Sequence, residues 1–130
     1  MKSITLIVTF LFSITIWSYK SFADWTYVAT GETTGVESYI DFERIRKHDG
    51  FVYFWLLEDL SKPDQDGDLS YINYFRVDCG LFRYKHISGS YYKQAMGKGT
   101  SRNVGGQESQ WYYPLPKSLH EEYLRLVCGM

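Results

Sequence analysis

The sequence predicts an α+β domain, an antiparallel sheet with one C-terminal helix packed on it. Three observations predict this. From Trp25 to Tyr113 the apolar residues fall in short runs rich in aromatic and β-branched side chains, which suit a pleated, half-buried surface. Helical spacing is clear only at the end, after Ser118. The chain has two cysteines: Cys79 ends a strand run and Cys128 ends the helical run, so a disulfide between them would pin helix to sheet.

Trp25, Tyr27 and Ala29 alternate with Thr26, Val28 and Thr30, a first strand ended by Gly31. Glu32–Gly35 forms a turn, and Val36–Asp41 returns as the second strand of a hairpin. Phe42–Lys47 fits a single helical turn or a loop better than a strand, because Ile45 is its main apolar residue after Phe42. Asp49-Gly50 is a turn dipeptide of the kind favoured between strands. Phe51–Leu60 is the strongest strand, and its nearly continuous apolarity predicts a central position.

Pro63 stops pairing, and Asp64–Asp68 makes a polar turn. Leu69–Asp78 is the next long strand, running into Cys79. Gly80 permits a reversal, after which Leu81–Ser88 and Tyr91–Ala95 read as strand with a bend at Gly89. Gly97–Gly106, with four glycines, reads as loop, and Gln110–Tyr113 as a last short strand closed by Pro114 and Pro116. Ser118 and Glu121 are spaced as a capping box, each able to bond the other's backbone amide. A helix over Leu119–Cys128 follows, with Leu119, Tyr123, Leu126 and Val127 at helical spacing.

The first segment is of a different kind. Lys2 precedes a mostly apolar run, Ile4–Trp17, and Ser21 and Ala23 are small residues at the cleavage-determining positions. This is the pattern of a secretory signal peptide cut between Ala23 and Asp24, leaving one domain over residues 24–130. A membrane anchor is the other reading, but a spanning helix needs about 20 mainly apolar residues. Ile4–Trp17 is shorter, and Thr9, Ser13 and Thr15 interrupt it. The signal resembles a bacterial one, which predicts a protein of the periplasm, the outer surface or the medium, with no membrane span after cleavage. Disulfides form in such compartments. No cysteine stands near the cut, as a lipid-anchored form requires.

Removing residues 1–23 takes away Lys2 and Lys20 and no acid. Lys plus Arg falls from 14 to 12 against 15 Asp plus Glu, a net charge of about −3. Nucleic-acid binding wants a basic bias that this composition lacks, so no nucleic-acid partner is expected. A disulfide closing a loop of about 50 residues contributes on the order of 4 kcal/mol, comparable to the whole net stability of a small domain.

Candidate chemistry is sparse. Asp64, Asp66 and Asp68 have the spacing to approach a calcium ion, yet Gly67 and Phe75 stand where a calcium loop does not want them, and a solvated turn is the better reading. His48, His86 and His120 lack ligand spacing and read as surface residues, and with both cysteines in a disulfide no zinc site is expected. No serine sits in a nucleophile elbow. Glu58 and Asp59 are adjacent and point to opposite sides of a strand, a poor acid–base pair. Gly97-Lys98-Gly99 lacks the spacing of a phosphate loop. Arg44-Ile45-Arg46-Lys47 is a small basic cluster, read as a solvated loop rather than a docking patch for an acidic partner. Tyr91, Tyr92, Tyr112 and Tyr113 are the aromatics able to anchor a partner, if they do not simply cover the core edge.

One resemblance spans the domain. Asp24-Trp25, Tyr39-Ile40-Asp41, Ile45 with Asp49-Gly50, the aromatic strand through Trp55, Lys62-Pro63, Asp78-Cys79, Gly97-Lys98-Gly99, Trp111 and Val127-Cys128 follow one another in the order and spacing of the bacterial surface-adhesin protein E family, which the chain resembles. The resemblance implies an antiparallel sheet of about six strands and a C-terminal helix tethered to it through Cys79 and Cys128. It implies an exported binding protein, not an enzyme; from the residues themselves no cofactor or metal is expected. Its partner would be a host matrix or serum protein or an envelope protein, and it would be able to form a homodimer. No partner-binding residue carries over. The alternative of another class is a soluble periplasmic accessory protein that binds a small ligand or inhibits an enzyme.

Overall fold

The computed structural model describes residues 23–129, so the leader reading, apart from Ala23, lies outside the described residues. Seven strands form one antiparallel sheet: β1 (Thr26–Thr30), β2 (Glu37–Ile40), β3 (Arg46–His48), β4 (Phe51–Asp59), β5 (Ser70–Asp78), β6 (Arg83–Tyr92) and β7 (Ser101–Val104). The main order is β1-β2-β4-β5-β6-β7, and β3 pairs with β4 on the edge that β2 leaves vacant. β2 takes Leu56–Asp59 of β4, while β3 takes Phe51–Tyr53. One helix, α1 (Leu119–Cys128), closes the domain, so the expected α+β architecture is present. Among the described residues no helix is long and apolar enough to cross a membrane.

β4 lies at the centre, as its nearly continuous apolar run predicts, with β5 beside it. Alternate residues of a strand share a face. Val52, Phe54 and Leu56 of β4 point to the same side as Phe75 and Val77 of β5 and Ile40 of β2. Tyr123, Leu124 and Val127 of α1 close over them, and all nine are buried. Phe54 and Phe75 are directly paired in register, and their rings stack at 5.5 Å. Burying each such side chain contributes about 1.5–3 kcal/mol. Two further ties hold the helix. The Tyr123 hydroxyl meets Ser38 Oγ of β2 at 2.5 Å, and Cys79 and Cys128 form a disulfide with Cα atoms 5.7 Å apart.

Several local expectations are corrected. Phe42–Arg44 is the expected helical turn, a 3-10 turn, but Arg46–His48 is strand β3. Its three residues are exposed and polar, so it carries no apolar signal; the tight Asp49-Gly50 turn, with φ of 50° and 79°, folds it back onto β4. Ser101–Val104, expected as loop, is edge strand β7. Arg83–Tyr92 is one continuous strand. Its irregularity lies at Ile87, the extra residue between Ser88, which faces Tyr74, and His86, which faces Phe75. Gln110–Tyr113 is no strand but a strap held to β6 by one bridge, Tyr84 to Tyr112.

Half of the capping box forms. Ser118 Oγ accepts from the Glu121 amide at 3.2 Å, while the Ser118 amide donates to Leu115 and the Glu121 carboxylate turns to Arg125.

Candidate functional site

The helix covers one side of the sheet. Register places Phe51, Tyr53, Trp55 and Leu57 of β4 on the other side, with Ile72, Tyr74 and Arg76 of β5 opposite Leu57, Trp55 and Tyr53. Cross-strand neighbours on one face lie close enough for aromatic rings to meet. Trp55 stacks on Tyr74 with centroids 4.4 Å apart and planes at 27°, and Tyr74 stacks on Tyr53 at 5.9 Å and 29°. The Arg76 guanidinium then lies over the rings of Tyr53 and Phe51 at 5.3 and 5.6 Å. Leu57 is buried and the other side chains are half-buried. They form an aromatic row across the middle of the uncovered face.

Two depressions of similar size adjoin the row, besides a smaller one between Trp55 and Asn103. The first, about 640 Å³, is lined by Trp55, Trp25, Ile72, Tyr92 and Met96 with Arg44 and Lys98 at its rim. The second, about 650 Å³, lies over Tyr53 and Tyr74 beneath Arg46, Lys47 and His48. Neither lining contains an acid. The walls are set by local chemistry. Gly97, at φ 68°, packs its backbone where a Cβ would come within 2.6 Å of Ile72, and the Met96 amide donates to Asp59 at 2.9 Å. These contacts hold the Ala95–Gly97 turn beside the row. Burial pushes the Tyr74 hydroxyl's pKa up. Nearby, Glu37 accepts the Tyr39 hydroxyl at 2.8 Å, which, followed by burial, raises that phenol to about 12.

Most cations of this face are matched. Arg44 Nε binds the buried Asp41 carboxylate at 2.7 Å. Arg76 and Lys85 share Glu108 at 3.2 and 3.7 Å, and Arg83 binds Asp78 at 3.0 Å. Arg83 and Lys85 also sit over the Trp111 ring, so the strap covers that end of the sheet.

The residues singled out in the sequence disperse. Tyr92 joins the first depression. Tyr91 points to the opposite face, where it stacks on Tyr71 at 4.3 Å under Arg102. Tyr112 and Tyr113 lie on the strap, 43% and 63% exposed. The basic cluster is not a solvated loop: Arg44 is tied to Asp41, and Arg46 and Lys47 belong to β3 at the rim. Trp55, Tyr74 and Tyr53 were not singled out, because only the strand register brings them together.

Asp64, Asp66 and Asp68 do converge, with oxygens within 4.8 Å of one another. They are built into a turn. Asp64 accepts the Tyr71 hydroxyl and the amides of Asp68 and Asp66, which in that order hold its carboxyl below the usual range. The buried Asp68 binds Lys93 at 2.9 Å and Arg102 at 2.8 Å, and Arg102 also reaches Asp66. The protein's own cations thus occupy the cluster. His86 and His120 are half-buried, not surface residues, and burial lowers the pKa of both. His86 Nε2 bonds Asn73 at 2.9 Å and His120 stacks on Tyr84 at 4.7 Å, so neither addresses a nucleophile. Burial raises the pKa of Glu58, whose hydrogen-bond partner is Asn73, on the helix side of the sheet.

The fold is similar to that of Haemophilus influenzae protein E. Its crystal form II is 17% identical, with 83% of this chain and 92% of that chain covered and a TM-score of 0.62. The selenomethionine form is 16% identical, with 83% and 91% covered and a TM-score of 0.62. Protein E from a non-typeable H. influenzae is 15% identical, with 84% and 79% covered and a TM-score of 0.58. At this identity the likeness is one of fold. No curated protein matches the chain. The family model of surface-adhesin protein E matches residues 25–129, nearly the whole domain. With sheet, terminal helix and cystine in place across that span, the chain belongs to the surface-adhesin protein E family.

Proposed function

We propose that the protein is an exported, non-enzymatic binding module that recognises a partner protein through the face of the sheet opposite the helix. Family membership supports adhesin-type binding, and with it a surface-exposed or exported location. In this reading residues 1–23 are the export signal and residues 24–130 the working domain. The partner is a host matrix or serum protein, and a homodimer doubles the binding face.

The observation that carries the assignment to this face is the row Trp55–Tyr74–Tyr53, half-buried and covered by no helix among the described residues. Aromatic side chains in partly desolvated hollows are the usual anchors of protein interfaces. Capture of the exported protein on immobilised matrix and serum proteins tests it. Trp55→Ala and Tyr74→Ala should each weaken capture at least tenfold while circular dichroism shows the native sheet. Undiminished capture by both folded variants overturns the assignment.

The hollow beside Trp55, about 640 Å³, is the size of a small-molecule cleft and favours a second reading, a periplasmic ligand-binding accessory protein. Protease added to intact cells separates the two: the adhesin is digested and the periplasmic protein is spared.

A further inference from the structure

We infer that this face takes an extended, acidic segment of a partner polypeptide. The inference rests on the binding-face reading above and adds the chemistry of what binds. Two observations carry it.

The first is charge. Neither hollow has an acid in its lining, although the exported chain is acidic as a whole. Arg46 at one hollow and Lys98 at the other form no ion pair and no side-chain hydrogen bond among the described residues. By contrast Arg44, Arg76, Arg83 and Lys85 of this face already have carboxylates. Two unmatched charges therefore remain at opposite ends of one aromatic row.

The second is ring stacking. Tyr74 stacks on Trp55 and on Tyr53, so the rings of the row turn faces to one another. Sugars and nucleic-acid bases bind on ring faces, part of which the row uses internally, so a polypeptide fits better than an acidic glycan or a single nucleic-acid strand.

The spacing sets the ligand's form. Arg46 lies opposite Tyr53, and Gly97, next to Lys98, packs near Leu57. Four strand residues span about 13 Å, so two carboxylates four residues apart on an extended peptide match the two cations.

The test uses the exported protein and a fluorescein-labelled peptide, Glu-Phe-Pro-Leu-Glu, followed by anisotropy. Its counterpart with Lys in place of Glu, a heparin hexasaccharide and an oligothymidylate serve as comparisons. Saturable binding of the acidic peptide is expected. It should weaken at least tenfold in Arg46→Glu and in Lys98→Glu, and fall when salt rises from roughly 0.05 M to 0.5 M. Equal binding of the Lys peptide, binding of heparin or oligothymidylate in place of the acidic peptide, or charge reversals without effect would each overturn the inference. Two failures are distinguishable by partner capture. If Trp55→Ala abolishes capture and both charge reversals leave it intact, the face is right and its charge preference is wrong. If none of the three changes capture, the face itself is wrong.

Discussion

The Tyr123 hydroxyl and Ser38 Oγ meet at 2.5 Å, joining α1 to β2 across 85 residues of chain inside the core. Burial pushes the Tyr123 phenol up to about 12, so the bond is between neutral groups over the whole physiological range. Tyr123→Phe leaves a buried serine hydroxyl without its partner, at a cost of about 1–3 kcal/mol. Urea denaturation should show that loss. The double variant with Ser38→Ala should recover part of it, because both polar groups are then gone.

The cystine closes a loop with a sequence separation of 49. Cys79→Ser with Cys128→Ser removes that constraint from the unfolded chain, at about 4 kcal/mol in the chain-entropy model. The expected result is a large fall in the denaturation midpoint. Reduction of the native protein by dithiothreitol should give the same fall. Ellman's reagent should find no free thiol before reduction.

Gly89 faces Asn73 across β5 and β6, and a Cβ there would stand 2.3 Å from Asn73 Oδ1 and 3.1 Å from His86 Nε2. The glycine serves close approach, not a bend. Gly89→Ala must displace the Asn73 amide from His86, and overpacking of this kind costs about 1–3 kcal/mol. Thermal melts should show the loss, and Asn73→Ala in the same chain should reduce it.

Lys93 and then Arg102 hold the Asp68 carboxyl below the usual carboxylate value of 3.8. Its stabilising effect is complete above that value and is lost as the pH falls through the lower value of the folded protein. Asp68→Asn should be the less stable protein at pH near 7, and the two denaturation midpoints should converge in strong acid. A constant difference across the acid range would contradict this.

Much of the fold was legible because its signals are local. Asp49-Gly50, Pro63 and the Ser118 cap mark their turns, and the final helix runs over Leu119–Cys128 as its spacing predicts. The strands that escaped notice, Arg46–His48 and Ser101–Val104, are mostly polar, and edge pairing alone holds them. Gln110–Tyr113 misled in the opposite way, since its aromatic residues pack on a strand without extending the ladder. The site was least legible. Trp55 and Tyr74 are individually ordinary strand aromatics. Their stacking depends on register between β4 and β5, which no single segment encodes.

The separation of the two sides of the sheet has a consequence for how such a protein changes over generations. The helix, the cystine and nine buried core residues all lie on one side, while Tyr53, Trp55, Tyr74, Arg46 and Lys98 serve the other. Substitutions on the second side can therefore accumulate without spending the stability of the first. The scaffold can stay the same while the aromatic row changes, and the fold itself is shared with chains only 15–17% identical.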